Sequence, residues 1–107
     1  MALLDHKTEY IYVVRSEVRD PAQLDGWNDW YDHQHIPKLV SVPGLESATR
    51  YSERGTDRYL AAYEIESPAV FDEPRYKEVT GWGEWLPHVK EFKRAIYKLE
   101  TELPGGP

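Results

Sequence analysis

Apolar positions along the chain alternate between the two-residue period of strands and the longer period of a helix. Residues 9–18 read EYIYVVRSEV, rich in β-branched and aromatic side chains, and predict a first strand over Glu9–Val18. Its two faces, Tyr10/Tyr12/Val14 and Ile11/Val13/Arg15, are both mostly apolar. Asp20-Pro21 then offers an N-cap followed by proline at the first helical position. The helix is predicted to run to about Val40, with a kink or early end near Ile36 because Pro37 stands inside it. At ~100° per residue, Leu24, Trp27, Tyr31, His35 and Leu39 fall in one stripe about 120° wide, and His33 points nearly opposite.

Gly44, after Val42-Pro43, opens the next segment. Leu45–Glu53 and Arg58–Glu66 read as a hairpin across Arg54-Gly55-Thr56-Asp57. In the second arm Tyr59, Ala61, Tyr63 and Ile65 share a face, with Leu60 and Ala62 behind. Ser67-Pro68 repeats the helix-start logic, with an interruption at Pro74 and a continuation through Val79. Thr80–His88 (TGWGEWLPH) reads as a loop, Glu91–Glu100 as a last strand and Leu103–Pro107 as a loose tail. The order β-α-β-β-α-β is that of an α+β, ferredoxin-like fold with a four-stranded antiparallel sheet and both helices on one side.

Two helices cover one face of such a sheet, and the other face must meet water or a partner. Strand one is apolar on both sides, and strand three carries Leu60 and Ala62 opposite its main apolar face. An open face this apolar is unusual for a monomer, so a homodimer packed sheet to sheet about a two-fold axis is expected.

Composition narrows the classes. A length of 107 residues fits one domain, residues 1–107, with a modest core. The 13% aromatic content, with eight Tyr and four Trp, exceeds what that core needs and favours a pocket or an interface. A net charge of −6 without a basic stripe argues against nucleic acid. The absence of cysteine removes disulfides, thiolate catalysis and thiolate-bound metals. No run is long and apolar enough for a membrane span, and Met1–Thr8 lacks a signal-peptide core, so a cytoplasmic location is the default expectation.

The densest chemistry lies in WNDWYDHQHIP, Trp27–Pro37. His35, on the inward stripe among Trp, Tyr and Leu, is desolvated, which favours the neutral imidazole of a general base. Tyr31 is one turn away as a donor to a substrate oxygen, and Asp32 is a candidate to orient the ring. A single inward histidine is equally the pattern of a structural residue bonded to a backbone carbonyl. His33 and His35 splay apart at i,i+2, and Asp29/His33, at metal-ligand spacing, face solvent, so no metal site is expected. Trp27, Tyr51, Trp82, Trp85 and His88 are candidate substrate walls, the Trp82/Trp85 loop doubling as a possible lid or a plain anchored loop. Arg50 and Arg94 stand on strands where either an anionic substrate group or one of the 19 acidic residues is the partner. Phosphate loops, GxSxG elbows and dinucleotide fingerprints are absent.

Trp30-Tyr31 followed by His35-Ile36-Pro37, Pro43-Gly44-Leu45, Arg50-Tyr51 and Tyr59–Glu64 (YLAAYE) resemble the EthD-like branch of the dimeric α+β barrel superfamily, from about Tyr10 to Leu99. The resemblance implies ferredoxin-like protomers whose sheets close into a barrel, with a pocket between helix and sheet where His35 faces. It implies a range of activities rather than one. The leading expectation is a cofactor-independent isomerase, cyclase or lyase moving a proton on a small aromatic, polyketide-like or lactone substrate. In it His35 is the acid/base, Tyr31 the donor and Asp32 the orienter. The alternatives are a non-catalytic small-molecule binder or accessory to a catabolic oxygenase and, more weakly, a haem protein with His35 as axial ligand.

Overall fold

A computed structural model describes residues 8–103 and residue 105. The expectations for the N-terminus before Thr8 and for most of the tail beyond Leu103 lie outside the described residues. The elements are β1 (Tyr10–Val18), α1 (Leu24–Trp30), α2 (Ile36–Leu39), β2 (Leu45–Ser52), β3 (Arg58–Ile65), α3 (Pro74–Val79) and β4 (Val89–Lys98). Short 3-10 turns at Pro21–Gln23, Pro68–Asp72 and Gly83–His88 join them, and a wide π turn at Tyr31–His35 links α1 to α2. Both predicted caps form: an Asp20 carboxylate oxygen accepts from the Ala22 N–H at 3.0 Å, and the Ser67 hydroxyl accepts from the Ala69 N–H at 3.2 Å.

Two details depart from the sequence pattern. The first helical segment runs to Leu39, close to the Val40 expected, but Pro37 sits inside α2 without an early end near Ile36. The π turn is the reason. The Ile36 N–H reaches back five residues to the Tyr31 carbonyl. This loosened spiral gives the Pro37 ring room where a regular turn would drive it into the carbonyl four residues earlier. Secondly, Thr80–His88 is partly ordered as the Gly83–His88 turn, and the last strand starts at Val89 rather than Glu91. Gly81 and Gly83, at φ +97° and +54°, carry the chain through that turn.

The sheet order is β2-β3-β1-β4 with every neighbouring pair antiparallel, the ferredoxin-like arrangement. Tyr12 stands between Tyr63 and Ile96, and Val14 between Ala61 and Arg94. The even-numbered face of β1 and the odd-numbered face of β3 meet the helices. Tyr12, Val14, Val18, Ala61, Tyr63 and Ile65 pack there with Trp27, Tyr31, Leu39, Val42, Val70, Tyr76 and Trp82 in one core. Ile11, Val13, Leu60, Ala62, Tyr51 and Tyr97 occupy the opposite face, with Tyr51 and Tyr97 exposed. The short helices do not reach across β4, so Phe92 and Ile96 on the helix side remain 42% and 45% exposed. Among the described residues no helix is long and apolar enough to cross a membrane.

Candidate functional site

The bare strip beside β4 and the last 3-10 turn open into a cavity of about 240 Å³ between the sheet and the first helical segment. Its floor is sheet: Tyr12 and Val14 from β1, Tyr63 from β3, Phe92 and Arg94 from β4. Its roof is Tyr31, His35 and Leu39, and one side is closed by Tyr76 and Trp82.

His35 is 7% exposed and lines this space. Its ring stacks on Trp30 at 4.6 Å and 15°, meets Tyr31 edge-on at 5.0 Å, and lies 5.9 Å from Trp82. The Trp30 contact is a product of the π turn. On a regular α-helix residues five apart point about 140° away from each other. Neither imidazole nitrogen has a hydrogen-bond partner among the described residues. Burial, aided by the nearby Lys38 and Arg50 cations, lowers its pKa from 6.5 to about 4, so the ring is neutral at neutral pH.

Tyr31 and Tyr63 share a hydrogen bond between hydroxyls at 3.2 Å. Burial raises both phenols above the ordinary value. As a neutral pair, one O–H is used between them and the other remains a donor. Tyr12 is likewise raised by burial and by the adjacent Tyr76, with Arg94 pulling the other way.

Arg50 fixes the π turn from below. Its side chain is 12% exposed, and it donates to an Asp32 carboxylate oxygen at 2.8 Å and to the Asn28 side-chain oxygen at 3.0 Å. Its guanidinium lies 4.2 Å from the Tyr31 ring centre. Asn28 in turn donates to the Leu24 carbonyl and the Tyr59 hydroxyl.

The expected site residues therefore divide. His35, Tyr31 and Trp82 line the cavity. Asp32 does not meet His35: its carboxylate is turned to Arg50 and is half exposed, so it does not orient the imidazole. Trp27, fully buried, backs Tyr31 without reaching the cavity. Trp85 lies over Trp27 and Trp30, with His88 against it, outside the lining. Trp85 sits so close that a Cβ on Gly26 would stand 2.9 Å from its ring. Tyr51 is on the other face, in a larger hollow of about 590 Å³ shared with charged residues such as Arg15, Glu17 and Lys93, far from the histidine in chemistry. Arg50 serves Asp32 and Asn28 rather than the cavity. Among the wall residues that sequence reasoning did not name are Tyr12, Tyr63, Tyr76 and Phe92, while Arg94, one of the two strand arginines considered for an anionic group, does line the cavity. Their alternation on strands gave them a face but not a height. Asp29 and His33 pair in solvent at 3.8 Å, and no cluster of three metal-ligating side chains exists among the described residues.

No protein-family model matches the chain, and no curated protein matches its sequence. Solved structures do match its fold. A monooxygenase from the gene ActVA-Orf6 of Streptomyces coelicolor, in complex with nanaomycin D, superposes with a TM-score of 0.72 at 18% identity, covering 92% of this chain and 94% of that one. A dimeric ferredoxin-like protein from an uncultured marine organism gives 0.69 at 12% identity, over 94% and 95%. SnoaB, a cofactor-independent oxygenase from Streptomyces nogalater, gives 0.62 at 18% identity, over 92% and 100%. At such identities the likeness is one of architecture, and it gives the chain a ferredoxin-like α+β fold shared with dimeric proteins and small monooxygenases.

Proposed function

We propose that this protein is a small enzyme that works without a cofactor on a planar aromatic, polyketide-like substrate, with His35 taking a proton from it. The observation that supports this reading is a neutral imidazole, without a hydrogen-bond partner among the described residues, that lines a cavity of about 240 Å³ whose described lining is half aromatic. This is somewhat below the ~300–1,000 Å³ of common ligand clefts and suits two or three fused rings. The ActVA-Orf6 monooxygenase and SnoaB, similar in fold, make the same class of chemistry a natural reading.

The step is proton abstraction from an activated C–H or a phenol. An imidazole nitrogen of His35 takes the proton, and the charge left on the substrate oxygen is met by the free O–H of the Tyr31–Tyr63 pair. A raised phenol pKa keeps that donor protonated. Charging His35 in this setting costs about 3 kcal/mol more than in water, from 6.5 to about 4 at ~1.36 kcal/mol each. The substrate anion formed beside it offsets that cost. Reprotonation at another atom gives isomerisation or cyclisation. With dioxygen as co-substrate, an activated methylene balances as CH2 + O2 → C=O + H2O, which is oxygenation.

The sheet face bearing Val13, Ala62 and Tyr97 is read as the seat of a second copy, making a homodimer, as in the dimeric fold relative. The EthD-like reading rests on the WY-x3-HIP and PGL elements. Haem does not suit the site: the cavity is too small to enclose a porphyrin, and His35 lies flat against Trp30.

The test uses 2-tetralone, a two-ring ketone with an activated methylene, in D2O. The wild type accelerates deuterium exchange at that methylene, and H35Q lowers the acceleration by about 100-fold or more. Product formation dependent on oxygen then separates oxygenation from isomerisation. Equal exchange by wild type and a folded H35Q would sink the reading. The low pKa of His35 favours a second one, a carrier in which the imidazole accepts a ligand hydrogen bond; binding without exchange would support that.

A further inference from the structure

Along one row of the sheet, Arg50 faces Ala61, Ala61 faces Val14, and Val14 faces Arg94. Two arginines thus stand at the same height on the helix-side face, three strand spacings or about 14 Å apart, with only small residues between them. Arg50 is beneath the helix and is committed to Asp32, Asn28 and Tyr31. Arg94 is on the uncovered edge strand and lines the cavity. It is the only cation among the described lining residues, and none of those residues is a carboxylate. Acidic residues outnumber basic ones 19 to 13 in this chain, yet Arg94 has no acidic partner among the described residues. Its guanidinium lies 5.5 Å from the Phe92 ring centre and beside the Tyr12 phenol, which neighbours Tyr76.

We propose that Arg94, flanked by Tyr12 and Tyr76, is an anion-binding subsite of the His35 cavity and that the natural ligand is a flat aromatic carboxylate. The rings lie against Phe92, Trp82 and Tyr63, and the carboxylate meets the guanidinium. A planar carboxylate matches the paired N–H groups of arginine, and adjacent phenols supply further donors. A dianionic phosphate is disfavoured, because one arginine leaves half its charge uncompensated against apolar walls. The proposal rests on this cavity being the ligand site and is independent of whether His35 moves a proton.

The experiment titrates the full chain with 2-naphthoate and with its neutral isostere 2-naphthamide, following Trp fluorescence and amide NMR shifts. The wild type prefers the carboxylate by about tenfold or more, the ratio expected of a charge-assisted hydrogen bond over a neutral one. R94Q abolishes the preference, weakening naphthoate far more than naphthamide, and R94K keeps part of it. The preference falls with added salt because the arginine is exposed. Naphthamide binding with no carboxylate preference, or a preference that survives in R94Q, overturns the subsite alone. Failure of both probes to bind up to millimolar concentration overturns the subsite together with the cavity reading beneath it.

Discussion

Buried neutral, His35 ties the stability of the fold to pH in a calculable way. Its folded pKa of about 4 lies below the 6.5 of an exposed imidazole. Above pH 6.5 both folded and unfolded chains hold the neutral ring, and the group adds no pH dependence. Between 6.5 and 4 the unfolded chain binds the proton and the folded chain does not, so stability falls as pH falls. The full loss, reached below pH 4, is about 3 kcal/mol. Between pH 7.5 and 5.0 the same two pKa values predict a loss of about 2 kcal/mol, or roughly 9 °C in Tm for a domain of this size. H35Q removes this contribution and leaves the other histidines in place. Urea unfolding of both proteins at the two pH values, at one fixed protein concentration, isolates it as the difference of differences. Equal pH dependence in wild type and H35Q refutes the account. So does an NMR titration of the wild-type His35 ring with a midpoint near 6.5.

Other consequences follow from named contacts. G26A places a methyl 2.9 Å from the Trp85 ring and lowers stability by about 1–3 kcal/mol in urea unfolding, and W85A combined with it recovers part of that loss. R50M removes a cation from beside His35 and the bracket on Asp32 and Asn28; the His35 pKa rises in an NMR titration, and the chain is less stable. V13R puts a charge in the centre of the apolar sheet face; if the proposed homodimer forms there, light scattering reports a mass near that of one chain for V13R against two for the wild type.

The fold was legible because its local signals agree. Aromatic and β-branched runs mark β1 and β3, and Asp20-Pro21 and Ser67-Pro68 mark both helix starts with caps that form as drawn. The inward placement of Tyr31 and His35 was legible for the same reason: a four-residue apolar step reads as one helix face. The π turn was not, since that spacing is shared by a regular helix and a loosened one, and Pro37 alone suggested a break. Trp30 therefore stands outside the stripe read for His35, although the two rings stack. Pairing was the other blind spot. Arg50 and Arg94 look alike on their strands, and only the reach of the helices over β2 but not β4 gives the first a carboxylate and leaves the second facing a cavity. Asp32, next to Tyr31 in sequence, turns outward to Arg50 for the same reason.

The wide turn and the proline after it stand in mutual need. Trimming one residue from 31–35 would tighten the spiral, swing everything upstream by about a quarter-turn and press the Pro37 ring onto backbone. Replacing Pro37 alone would leave a slack coil with nothing demanding it. Descendants of this sequence can abandon both features together far more easily than either one, and those that do would unstack Trp30 from His35 and lose the pocket's roof.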